Sequence, residues 1–231
     1  METKEGKSGK MVLQRKEKII AFAELAGYVL YVMWCTYDMH LDTGGLWTGV
    51  LSYLFQFVIT ILLVVKADKQ RICDIGLKRP VIWDIPKGLL LGCCMFAAQQ
   101  LPLLLMGMDY SAYAMAPDWG YMIGMSLYCF LCVGVVEEVM FRGFILHKTQ
   151  ALCNSRAVCV GINIVLFYAV HLFPLRFVFG EFYSIAVNVV FLCVYFFRSK
   201  NKSLVPLIVA HGFYDVLTSV LLPVFVYWAF G

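Results

Sequence analysis

Residues 119–142 read WGYMIGMSLYCFLCVGVVEEVMFR, an apolar run that ends in two adjacent glutamates and an arginine. No charged residue precedes Glu137 in this run, which is nearly long enough to cross a hydrocarbon core about 30 Å thick. A charged side chain inside a membrane span costs roughly 2.5–3.5 kcal/mol on insertion, so such residues usually have a partner or a function. The stretch therefore predicts a membrane helix that contributes residues to a functional site.

The composition of the whole chain also indicates a membrane protein. Of its 231 residues, 61% are hydrophobic, and the mean hydropathy is +0.78. Soluble domains are closer to half apolar and could not bury this much apolar surface. The net charge of +4 does not indicate a nucleic-acid partner, because the basic residues lie in short stretches between apolar runs. Nine scattered cysteines, an odd number, argue against a disulfide framework.

The apolar runs predict an all-α, polytopic helical bundle of about seven spans. Residues 66–87 are expected to form a basic cytoplasmic loop between the second and third spans. The predicted spans are Ile19–Tyr37, Leu46–Val65, Gly88–Met108 (which contains Pro102), Trp119–Leu152, Ala157–Phe173, Phe182–Phe197 and Leu204–Trp228.

The basic residues predict how this bundle is oriented. With a cytoplasmic N-terminus, 18 of the 19 lysines and arginines fall on the cytoplasmic side, and only Arg176 falls outside. Residues 1–18 then form a basic cytoplasmic segment, 19–118 the first three spans with their cytoplasmic loop, and 119–231 a catalytic membrane core. We expect a multi-pass protein of the cell membrane, in a bacterial plasma membrane, whose neighbours are lipid and a peptide or protein substrate.

Three pairs of residues in the last four spans are each spaced four apart, which places both members on one helix face. Glu138 precedes Arg142, Phe167 precedes His171, and His211 precedes Asp215. Arg142 can neutralise Glu138, the Phe167 ring can pack on the His171 imidazole, and Asp215 can orient His211. Glu137 points elsewhere, about 100° around the helix from Glu138, and is free to exchange a proton.

The chain also places these groups at similar depth. A turn is expected at Asn154 and Ser155; Glu137 lies 17 residues before Asn154 and His171 lies 17 after it. In an antiparallel hairpin both positions are about 25 Å from the turn. Asn188 is the polar residue of the sixth span that we expect to support this site.

The order Glu137-Glu138-x-x-x-Arg142, Phe167-x-x-x-His171 and His211-x-x-x-Asp215 resembles the signature of the CPBP family. That family contains CAAX prenyl endopeptidases and bacterial bacteriocin-processing or bacteriocin-immunity (Abi) proteins. The sequence Phe141-Arg142-Gly143 also resembles the family's usual continuation, and the resemblance covers roughly residues 119–228.

The resemblance implies an intramembrane glutamic endopeptidase without a cofactor or a metal. Glu137 would be the general base, and His171 would position the attacking water. His211 and the residue four later would stabilise the oxyanion, while Glu138, Arg142 and Phe167 would support the site. This chain has Asp215 where CAAX enzymes of the eukaryotic type carry asparagine. An ionised aspartate cannot donate a hydrogen bond, so Asp215 either carries a proton or orients His211.

Two other functions are compatible with the same residues. Glu137, His171, His211 and Asp215 are of the types that bind zinc, although the local H-E-x-x-H motif is absent. A zinc-dependent membrane protease is therefore one alternative. The other is a non-catalytic immunity or scaffold protein that binds a bacteriocin or a membrane partner.

Overall fold

The computed structural model describes residues 4–41, 46–171 and 178–230, with the side chains of residues 15–36, 47–171 and 178–230. Across these residues the chain forms seven helices, one short 3₁₀ turn (Ser111–Tyr113) and no strand. Four of the helices are α-helical throughout: α1 (Lys4–Leu41), α3 (Asp84–Leu105), α5 (Arg156–His171) and α6 (Phe179–Arg198). The other three begin with an α-helical segment and continue beyond it: α2 begins with Leu46–Leu62, α4 with Trp119–Tyr128 and α7 with Val205–Val216.

Three of these helices contain π-helical turns. Such turns extend α2 over Leu63–Ala67, and they carry α4 through Cys129–Glu137 and Val139–Ile145 to its last α-helical turns, Leu146–Leu152. Helix α7 continues through Leu217–Leu221 to Leu222–Phe230. The motif glutamates therefore lie in a stretch of α4 that is wider than an α-helix, and π-helical turns of this kind are frequent at functional sites.

The all-helical membrane architecture is confirmed. Five helical segments are long and apolar enough to cross a membrane: Arg15–Thr36, Trp47–Ala67, Asp84–Leu105, Phe179–Arg198 and Val205–Phe230. The shorter apolar helix α5 and the interrupted helix α4 complete the seven predicted segments. Helix α1 extends back to Lys4, well before the predicted start at Ile19. The cytoplasmic N-terminus remains a prediction; Arg176 and the predicted end of the fifth span at Phe173 lie outside the described residues.

Helix α7 is packed closely between α3 and α4 because glycines face it from both sides. A Cβ at Gly92 of α3 would lie 2.8 Å from the Ala210 carbonyl oxygen, and one at Gly134 of α4 would lie 2.8 Å from the Ile208 carbonyl oxygen. On α7 itself, a Cβ at Gly212 would lie 2.6 Å from Phe130 Cδ1. These distances are too short for a larger residue, and the resulting close packing brings His211 next to the α4 glutamates.

The predicted turn between the fourth and fifth spans is confirmed, and a second loop packs near it. Helix α4 ends at Leu152 and α5 begins at Arg156, with the Val158 N–H donating to Ser155 Oγ at 3.4 Å. The loop after α2 turns at Gly76, where φ is +97°, and accepts a hydrogen bond from the Leu204 N–H at 2.8 Å. Buried Ile75 thereby reaches α4 beside the motif residues.

Candidate active site

Glu138 and Arg142 form the predicted ion pair on α4, and both side chains are fully buried. Arg142 Nη1 donates to Glu138 Oε1 at 2.7 Å. A second guanidinium nitrogen of Arg142 donates to Asn188 Oδ1 on α6 at 3.4 Å, and the guanidinium carbon lies 5.3 Å from the centre of the Phe167 ring. Arg142 thus links α4 to α5 and α6. Asn188 is near the site, as expected, and contacts it through this arginine.

His211 makes its hydrogen bond to a residue of another helix, Glu138 of α4. Its Nδ1–H donates to Glu138 Oε1 at 2.8 Å, so the same carboxylate oxygen accepts hydrogen bonds from both Arg142 and His211. Asp215 Oδ2 lies 3.7 Å from His211 Nε2, beyond hydrogen-bond distance. Asp215 is within ion-pair distance of Nε2, the ring nitrogen that Glu138 does not occupy, and its orienting role stays a prediction. The close packing of α7 on α4 makes Glu138 the nearer partner.

Glu137 lies on the other side of His211 and keeps one oxygen free. Its Oε2 is 3.9 Å from His211 Nε2, and among the described residues this buried oxygen has no hydrogen-bond partner. The other oxygen, Oε1, accepts a hydrogen bond from the Tyr53 hydroxyl at 2.6 Å. Tyr53 lies on α2 and was not predicted to belong to the site. The polar spacing of Tyr53, Gln56 and Thr60 on this apolar helix is the signal that could have indicated it.

His171 ends α5 and is held by Phe167, as the four-residue spacing predicts. The two rings are stacked, with centroids 4.6 Å apart and planes 16° from parallel. The His171 Nδ1–H donates to the Phe167 carbonyl oxygen at 2.7 Å. A carbonyl oxygen can only accept, so Nδ1 carries a proton, and when the ring is neutral Nε2 keeps a lone pair.

The predicted site residues surround one cavity of about 340 Å³. Glu137, His171, His211 and Asp215 all line it, together with Phe167 and Asn188. Glu138 and Arg142 lie behind this wall. A smaller cavity of about 140 Å³ lies on the side of α1 and α2, and Tyr53, Glu137 and His171 line both. A third cavity, of about 700 Å³, reaches His171 from the loop after α3 and the start of α6.

The geometry of the acidic and histidine side chains bears on the zinc alternative. Within the described part of the chain, no three His, Cys, Asp or Glu residues are arranged to hold a metal ion. The hydrogen bond of His211 Nδ1 to Glu138 leaves Nε2 on the cavity side, and His171 reaches the same cavity from another helix. The zinc-dependent protease therefore stays an untested alternative.

Comparison with known proteins gives one match. Residues 119–217 match the family model described as type II CAAX prenyl endopeptidase Rce1-like. No curated protein and no solved structure matches the chain significantly. The matched segment contains all three motif pairs and excludes α1, α2 and α3, and thus Tyr53. Residues 119–217 are therefore similar to the Rce1-like family, and the match supports a CAAX-type protease in a multi-pass membrane protein.

Proposed function

We propose that the protein is an intramembrane endopeptidase that hydrolyses a peptide bond of a membrane-associated peptide or protein, with Glu137 as general base. The observation that carries this proposal is the free, buried Oε2 of Glu137, which lies beside a cavity that His171 and His211 also line. A carboxylate that has a partner on one oxygen and none on the other is suited to accept a proton from a third molecule.

Water activation follows from the two acceptors that face the cavity. Glu137 Oε2 and His171 Nε2 can each accept one O–H of the same water, since His171 Nδ1 is already the donor to Phe167. A water held in this way directs a lone pair at the carbonyl carbon of the substrate. Glu137 takes the proton as the water attacks and passes it to the leaving amine, without a covalent intermediate.

Oxyanion stabilisation falls to His211. Because its Nδ1–H is donated to Glu138, a second donor at Nε2 requires the imidazolium form. Two carboxylates, those of Glu137 and Asp215, lie within 4 Å of Nε2 and favour this charged form over the neutral ring. A donor aimed at a developing oxyanion typically contributes about 3–4 kcal/mol. Asp215 then acts on the charge of His211 and need not contact the oxyanion itself.

Glu138 and Arg142 support the chemistry through geometry. Glu138 Oε1 accepts hydrogen bonds from both Arg142 and His211, so it fixes the position of the imidazole. A fully buried carboxylate needs such partners, because an unpaired charge away from water is costly by several kcal/mol. The proposed division of labour is therefore one glutamate for proton transfer and one for positioning.

The substrate proposal is a peptide segment at the membrane. The family description names CAAX prenyl endopeptidases, and the 700 Å³ cavity that reaches His171 has room for several residues of an extended chain. Five helices long and apolar enough to cross a membrane support a multi-pass protein, which we place in the plasma membrane of a bacterium.

Comparative peptidomics of cells that carry wild-type protein, Glu137→Gln or Glu24→Gln tests the proposal. Glu24 is a matched control, because it is also a glutamate of the membrane bundle but pairs with Lys148 away from the cavities. We expect the same new peptide termini with the wild type and Glu24→Gln, and none with Glu137→Gln. Identical termini in all three strains would contradict the proposal.

A further inference from the structure

Tyr53 joins the α2 helix to the proposed general base. Its hydroxyl donates to Glu137 Oε1 at 2.6 Å, the distance expected for a strong hydrogen bond to a carboxylate. Tyr53 lies outside residues 119–217, so the family match does not include it. We propose that Tyr53 is a positioning residue for Glu137 and that the second helix thereby takes part in the reaction. This inference rests on the proposed function of Glu137.

The Tyr53 ring is itself held in place by a second tyrosine. Tyr128 of α4 packs edge-on against it, with ring centroids 5.8 Å apart and an interplanar angle of 80°. Room for Tyr128 exists because the residue one turn before Tyr53 is Gly49, where a Cβ would lie 3.0 Å from the Tyr128 hydroxyl oxygen. The hydroxyl of Tyr53 therefore has a defined position relative to α4.

A glutamate needs such a contact if only one of its oxygens is to react. Rotation about the last side-chain bond of glutamate is broad and roughly two-fold, so a free carboxylate interchanges its oxygens. The bond from Tyr53 holds Oε1 and leaves Oε2 beside His211 Nε2, 3.9 Å away, without another partner in the described residues. Tyr53 thus sets which oxygen accepts the proton of water and in which direction it points.

The location of Tyr53 between two cavities agrees with this role. It lines the 340 Å³ cavity that contains the site and also the 140 Å³ cavity between α1, α2 and α5. Glu137 and His171 are the other residues common to both. Tyr53 therefore contacts Glu137 at the boundary between the 340 Å³ cavity and the 140 Å³ cavity.

The test compares Tyr53→Phe with Tyr28→Phe in purified protein, with a cleavable peptide from the peptidomic experiment. Tyr28 is the matched control, because its hydroxyl bonds Thr60 of α2 and thus also links the first two helices, yet it lines none of the three cavities. Both substitutions remove one hydroxyl and keep the ring. We expect Tyr53→Phe to lower kcat about ten- to hundredfold with KM nearly unchanged, as for loss of a hydrogen bond to a charged group. Tyr28→Phe should leave kcat within about twofold of the wild type and affect only the melting temperature.

A double-mutant cycle separates positioning from folding. Glu137→Asp shortens the side chain and withdraws the carboxylate from Tyr53, so removing the hydroxyl should then change kcat far less than in the wild type. Three results would each overturn the inference. Tyr53→Phe could have equal effects on kcat in both backgrounds, the Tyr53→Phe protein could have a kcat near that of the wild type, or it could be unfolded. Glu137→Gln is measured alongside: if it still cleaves, the proposed function fails, whereas an inactive Glu137→Gln with a fully active Tyr53→Phe refutes only the role of Tyr53.

Discussion

Replacing Arg142 with methionine should destabilise the protein strongly and inactivate it. Both Arg142 and Glu138 have 0% of their side-chain surface exposed, and their atoms are 2.7 Å apart. Removal of the arginine leaves the Glu138 charge buried with His211 as its one remaining described partner, and breaking a buried ion pair in this way costs about 3–5 kcal/mol. The contact of the guanidinium with the Phe167 ring, worth about 0.5–2 kcal/mol, is lost as well.

The loss can be measured as the free energy of unfolding in detergent, together with cleavage activity. The control is Arg71→Met, because Arg71 and Asp74 also form an arginine–carboxylate pair, at 2.9 Å, but with 80% and 42% of their side chains exposed. We expect Arg71→Met to leave stability and activity unchanged. Glu138→Gln combined with Arg142→Met should regain part of the stability, since no unpaired charge remains, but not the activity. An Arg142→Met protein as stable as Arg71→Met would show that the buried ion pair does not stabilise the fold.

Two further substitutions test the close packing of α7 and the role of its aspartate. Gly212→Ala places a Cβ 2.6 Å from Phe130 Cδ1 and 2.9 Å from its Cα, so overpacking should cost about 1–3 kcal/mol and displace His211. Gly124→Ala on α4, where nothing lies within 4 Å, should have no such effect in the same melting and cleavage assays. Asp215→Asn should retain roughly a tenth or more of the wild-type activity, because Asp215 makes no hydrogen bond to His211 and acts on it by charge alone. Complete loss of activity in Asp215→Asn would instead favour a direct catalytic role of that carboxylate.

Pairs within one helix could be predicted from the sequence. A four-residue spacing places two side chains on one face whatever the rest of the fold does, and both Glu138–Arg142 and Phe167–His171 make the predicted contacts. The turn at Ser155 could be predicted for the same reason, since the signals for helix ends are local.

Contacts between helices could not be predicted in this way. The spacing of His211 and Asp215 places them 3.7 Å apart, but it gives no indication of the hydrogen bond from His211 to Glu138, which depends on the close approach of α7 to α4 at glycines. Tyr53 was missed for a similar reason, because its function depends on which face of α2 meets α4. The π-helical turns that contain Glu137 also have no simple signal in the sequence.

The rate of peptide cleavage by purified Glu137→Gln protein shows whether Glu137 is the general base. The measurement uses a peptide identified in cells, under single-turnover conditions, with melting temperatures to verify folding and a zinc chelator in a parallel series. We predict a rate at least about a thousandfold below that of the wild type, because the glutamine cannot accept the proton of the attacking water. The wild-type rate should be unaffected by the chelator. Cleavage by Glu137→Gln at a rate near that of the wild type would contradict the role of Glu137 as general base. A wild-type activity that the chelator abolishes and zinc restores would favour the zinc-dependent alternative instead.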